Sequence, residues 1–136
     1  MQTIVGKSVY SLRSEKEAYT AMSDPNHTGS IWKNVPPQGV GRHSGPGHQF
    51  ALIDTLYKEQ QVVVLCYSVG ESVTFKNPYR ENTSKAWDFV VTGDQDPGGF
   101  VADVHLDTGD DIIQQLGGQG TCGALRHRLP DDSPPL

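Results

Sequence analysis

What the chain lacks narrows its function first. No stretch approaches the ~20 consecutive apolar residues that cross a bilayer, so no membrane insertion is expected. Positive charge is scarce: 11 Lys and Arg stand against 16 Asp and Glu, for a net charge of −5. The isoelectric point is about 5.4. Nucleic-acid binders usually present a basic face. The longest basic cluster here, Arg126-His127-Arg128, sits close to Asp131-Asp132, so no nucleic acid is expected as a partner. The opening residues, Met1 to Tyr10, are too polar for the apolar core of an export signal.

Catalytic signatures are also missing. There is no Gly-x-Ser-x-Gly elbow and no His-Glu-x-x-His pair. Cys66 falls in a Val-rich segment, where a strand would bury an inert thiol. The expectation is a non-enzyme with no catalytic residues and no cofactor. The five His are scattered, without the ligand spacing of a zinc site. Asp94, Asp96, Asp103, Asp107, Asp110 and Asp111 cluster, but lack the EF-hand ligand pattern. No metal is expected. Only Cys66 and Cys122 represent cysteine. They are the candidate structural disulfide in an oxidising compartment, and buried thiols in a reducing one.

Short strands broken by turns dominate what is present. Val62 to Tyr67 is the strongest strand signal. Phe50 to Ile53 precedes it, Gly70 marks a turn, and Ser72 to Phe75 opens another strand. Ile31 to Val35 reads as a strand before Pro36-Pro37. It weakly echoes Ala86-Trp87-Asp88-Phe89-Val90, and both a partial repeat and chance account for that. Ser14 and Glu17 match a capping box for a short helix from Glu15 to about Met22. Asn77 to Ser84 and Asp94 to Gly99 are polar loops. The expected inward set is Val62, Val64, Val73, Phe75, Trp87, Phe89, Val91, Phe100, Val101 and Val104. Trp87 is the side chain whose truncation should cost most.

The order of these pieces resembles the bacterial Src-homology-3 family over roughly residues 39 to 108. The matching residues are His43-Ser44-Gly45-Pro46-Gly47, Asp54-Thr55-Leu56-Tyr57-Lys58-Glu59, Val62 to Tyr67, Ala86 to Val90, and Gly98-Gly99-Phe100-Val101-Ala102-Asp103. The Cys66 strand and the Val-Ala-Asp-Val run resemble the actinobacterial branch. His43 stands where the family has Arg, Asp54 and Glu59 where it has Gly, and Asp94 to Pro97 lengthens a hairpin.

The resemblance implies a mostly β fold, a small antiparallel SH3-like barrel over residues 38–123. Residues 1–37 form an N-terminal extension, and residues 124–136 a Pro-rich tail expected to be disordered in isolation. It implies a non-catalytic recognition or attachment module. Its partners would be cell-wall glycan or peptide (peptidoglycan) and protein neighbours in an assembly such as a phage virion. The expected location is a virion, or the extracellular space or cell surface. Two alternatives stand beside this: a structural brick whose extensions bind neighbours, and a secreted actinobacterial protein. Trp32, Tyr57, Tyr67 and Tyr79 are the candidate aromatic residues of a shallow ligand groove.

Overall fold

A computed structural model describes residues 14–20, 27–76, 81–109 and 120–123. Helix α1 (Glu15–Thr20) comes first. Seven strands follow: β1 (Thr28–Ile31), β2 (Val40–His43), β3 (Leu52–Leu56), β4 (Gln61–Lys76), β5 (Glu81–Val91), β6 (Gly99–Ala102) and β7 (Leu106–Asp107). A single 3-10 turn, Asp103–His105, joins β6 to β7. The strands lie in the order β3-β2-β6-β5-β4-β1-β7, all neighbours antiparallel. The sheet curls part-way into a barrel, as the mostly β reading requires.

The long β4–β5 hairpin is the spine. Its register runs from Val63↔Val91 out to Lys76↔Glu81, with irregularities at Val64/Cys66 and Val69/Val73. Ala86 to Val91 are consecutively buried, so both faces of that part of β5 are covered. Trp87 is 1% exposed, and its neighbours Phe89, Val64, Val90 and Val101 are sealed equally well. Of the expected inward set only Val73 is merely half-buried. Tyr19 of α1 meets Phe89 edge-on at 4.9 Å, and Phe89 meets Phe100 at 5.2 Å.

Ser14 and Glu17 form the reciprocal capping box. The Glu17 N–H donates to Ser14 Oγ, and the Ser14 N–H to Glu17 Oε1, both at 3.1 Å. The described helix ends at Thr20, and Met22 lies outside the described residues.

Four expectations need correction. Gly70 is not a turn; β4 runs through it as a bulge. A Cβ there would lie 1.9 Å from the Pro46 carbonyl oxygen. Only glycine lets the Ser44–Gly47 loop dock, where Pro46 O accepts the Glu71 N–H at 3.1 Å. The strand expected at Ile31–Val35 instead ends at Ile31, because Lys33-Asn34 turns the chain and Val35 N–H reaches back to Trp32 O. The strand expected at Phe50–Ile53 begins at Leu52 and runs to Leu56, leaving Phe50 in the preceding loop. Asn82 to Ser84 are strand rather than loop, since Thr74 and Thr83 share a cross-strand hydroxyl contact of 2.7 Å. Residues 77–80 and the tail at 124–136 lie outside the described residues.

Candidate functional site

Among the described residues two clefts stand out on this sheet. The larger, about 440 Å³, lies where β5 begins and the 3-10 turn passes into β7. Pairing of Ile31 with Leu106 brings the end of β1 to this place. The Trp32 N–H then donates to His105 O at 3.0 Å, fixing the residue at the cleft wall. Strand β5 contributes Asn82, Thr83 and Ser84, and the chain after the 3-10 turn contributes Asp107 and Thr108. Asp103 completes the wall. Among the described residues no Lys, Arg, His or Cys lines it. Such a wall offers stacking on one indole, hydroxyl and carboxamide hydrogen bonds, and negative charge.

The second cleft, about 210 Å³, is built on Trp87, His48, His105 and the backbone of Gly39 and Gly41. The Trp87 indole N–H donates to Glu71 O at 2.8 Å. His43 and His48 contact the indole edge-on at 5.9 and 5.3 Å. His43 Nδ1 donates to Phe50 O at 3.0 Å. Glu71 Oε1 accepts both the His48 N–H at 2.6 Å and its ring Nδ1 at 3.0 Å. These bonds, the backbone one first, hold the Glu71 carboxyl below its usual range. Burial, helped by the nearby His48, pushes the His105 imidazole down to about 4. His105 is therefore neutral at physiological pH.

Between β2, β3 and the β5–β6 loop sits a buried cation. Arg42 is 3% exposed. Its Nε and Nη2 grip Asp54 at 2.8 and 2.6 Å, and Nη1 reaches Asp96 at 2.5 Å and Val90 O at 3.3 Å. Burial opposes the Arg42 charge, but the bonds to Asp54 and then Asp96 outweigh it and raise the pKa. Burial likewise opposes the Asp96 charge; hydrogen bonds from Arg42, Gly98 N–H and Thr92 overcome it and bring the carboxyl down to about 2. This cluster is an anchor for the Asp94–Pro97 loop, not an open site.

The four aromatic candidates do not share one groove. Trp32 lines the larger cleft. Tyr57 is 53% exposed, sits beside Gly39 and lines neither cleft. Tyr67 is 4% exposed and belongs to the core. Strand alternation puts it on the opposite face from Cys66, but both faces are covered there, so alternation did not expose it. Tyr79 lies outside the described residues. Cys66 and Cys122 are joined in a disulfide across a separation of 56 residues. It ties the segment at Thr121 beside Tyr67 on β4. Among the described residues no group of three His, Cys, Asp or Glu could hold a metal ion. Sequence reasoning missed Asn82, Thr83, Ser84 and Thr108. Their only signal was polar composition, which also marks ordinary loops.

The class defined so far is a small, curled-sheet β protein with a polar, indole-walled cleft. No family model matches the chain. It is similar to the uncharacterized protein YraI of Bacillus subtilis (strain 168), with 29% identity over 115 residues, 82% of this chain and 86% of that one. No solved structure matches it.

Proposed function

We propose that this chain is a non-catalytic recognition module of the bacterial Src-homology-3-like kind. It attaches to polymers of the cell envelope, wall glycan before all. The observation that carries the reading is the Trp32 cleft, where one Trp shares the wall with residues carrying hydroxyl, carboxamide and carboxylate groups. Sugars present apolar ring faces and many hydroxyls, and such a wall complements both. Glu59 adds support for the family reading. Its φ of 65° is left-handed, at a position where that family carries Gly. The disulfide supports a place outside the reducing cytosol, at the cell surface, in the extracellular space or on a virion.

Retention on purified cell walls tests this. The full chain should be retained, and Trp32→Ala should release it while still unfolding in one cooperative thermal transition. A chain that passes through unretained at low salt would overturn the reading.

A second reading has one specific observation behind it. Leu52 and Ile53 on β3 are 62% and 43% exposed, and among the described residues no strand pairs with the outer edge of β3. Such an edge suits strand addition by a neighbouring protein, as a structural brick of an assembly would use it. Concentration-dependent sedimentation that Leu52→Lys abolishes would favour this reading over the first.

A further inference from the structure

The cleft beside Trp87 holds a polar ring with nothing bonded to it. The cleft is lined by residues of the continuous stretches 27–76 and 81–109. His105 packs edge-on against Phe75 at 5.3 Å, and its carbonyl is taken by the Trp32 N–H. Among the described residues its imidazole makes no hydrogen bond. Burial keeps that ring neutral, so one nitrogen donates and the other accepts. A half-buried pair of this kind costs free energy until a partner bonds to it. His48 gives its Nδ1 to Glu71, which leaves Nε2 for a second bond. The Trp87 N–H is already taken by Glu71 O. Pro36, Val40 and Ala102 make the rest of the wall apolar.

Size and lining narrow the occupant. At about 210 Å³ the cleft is smaller than the roughly 300–1,000 Å³ sites that enclose a whole drug-sized ligand, so it takes a single substituent. Among the described residues no Asp, Glu, Lys or Arg lines it. An ammonium, carboxylate or phosphate group would lose hydration there without a counter-charge. A bare hydroxyl leaves the apolar wall uncovered. An acetamido group meets every part: its carbonyl accepts, its N–H donates, and its methyl covers the apolar side. We infer that the Trp87 cleft holds the acetamido group of an N-acetylated wall sugar, bonded to the His105 imidazole. This rests on reading the chain as a glycan-binding module. The 3-10 turn separates the two clefts, with Asp103 lining the Trp32 side and His105 this one. A chain of sugars crossing that turn reaches both.

Calorimetric titration of the full chain at neutral pH tests the inference. The ligands are an N-acetylglucosamine tetramer, the glucose tetramer of the same linkage, and acetyl-tetraalanine amide. The glucose tetramer is equally uncharged and has a hydroxyl in place of each acetamido group. The acetylated sugar should bind at least ~10-fold more tightly than the glucose tetramer or the peptide. His105→Phe keeps a ring against Phe75 and removes the nitrogens, and should bring the two sugars within about threefold. Trp32→Ala should weaken both sugars. In the unaltered chain the ¹⁵N resonances of the His105 ring should shift with the acetylated sugar and stay in place with the glucose tetramer. Equal binding of the two sugars overturns the inference and leaves the glycan reading standing. Binding of neither overturns the glycan reading itself, and the inference with it. His105 resonances that stay still, or a preference that survives in folded His105→Phe, would put the acetamido group elsewhere and end the proposal. Peptide binding as tight as that of the acetylated sugar would show a general amide site and also end it.

Discussion

Trp87 and Trp32 carry the same indole and do different work. Trp87 is 1% exposed, its N–H is bonded to Glu71 O, and two imidazoles press on its ring. Trp32 follows the last residue of an edge-side strand, is held by its backbone to His105 O, and lines an open cleft. A side chain enclosed on all sides contributes to stability; one with a wet face is open to a ligand, the role proposed for Trp32. The difference arises from position in the sheet. Strand β5 has partners on both sides, β4 and β6, whereas among the described residues β1 is separated from the sheet edge by the two residues of β7.

The comparison is broken most directly by truncating each ring. Trp87→Ala should lower unfolding free energy by roughly 3–5 kcal/mol, the range for a buried aromatic. Trp32→Ala should cost no more than about 1.5 kcal/mol. Denaturant titrations measure both, and equal losses would erase the distinction.

The disulfide belongs to the Trp87 side, since Cys66 pairs with Phe89 across β4 and β5. Replacing both Cys66 and Cys122 by Ser should cost roughly 4 kcal/mol in the chain-entropy model for a loop of this length. Wall retention through Trp32 should persist below the new melting temperature. Loss of retention in a still-folded variant would mean that the clefts are coupled.

His105 joins the two regions, with its carbonyl on Trp32 and its imidazole in the Trp87 cleft. Its folded-state pKa, about 4, lies below the ordinary 6.5. The native state therefore resists a proton that the unfolded chain accepts. Stability is full above pH 6.5, falls as pH drops toward 4, and levels off below. The loss is at most roughly 3 kcal/mol. Asp96 opens a second, lower window, because its folded value of about 2 lies below the usual 3.8. Its contribution is complete above about 3.8 and disappears as pH falls through 2. Melting temperature against pH should show both declines, and His105→Phe should remove only the upper one. A curve for His105→Phe that superimposes on the parent would contradict this assignment.

The smallest effect is at Glu59, in the β3–β4 turn whose N–H bonds Ile31 O at 2.7 Å beside Trp32. Its left-handed φ favours glycine. Glu59→Gly should stabilise by about 0.5–1 kcal/mol, read as a small rise in melting temperature. A fall would show that the Glu59 side chain holds this corner.

Much of this was legible in the residues because the signals were local. The Val-rich run and the Trp87 strand alternate or run apolar at strand period, and the Ser14–Glu17 box names its own helix start. Disagreements arose where distant chain decided. Gly70 looks like a turn in sequence, but the Pro46 carbonyl pressing on it makes it a bulge. Tyr67 looks like a rim aromatic, but cover on the second face of β4 buries it. Arg42 gave no sign of being an anchor, because its partners Asp54 and Asp96 lie 12 and 54 residues away. Half of the candidate site was visible as Trp32. The polar half was not, since Asn82 to Ser84 acquire meaning only when β5 lays them beside Asp107.

The division of labour between the indoles can be read in one spectrum. Solubilised wall glycan is titrated into the ¹⁵N-labelled chain while the two indole N–H resonances are followed. The Trp32 resonance should shift with saturation, and the Trp87 resonance, bonded to Glu71 O, should stay in place. A titration that moves Trp87 and leaves Trp32 still would contradict the account.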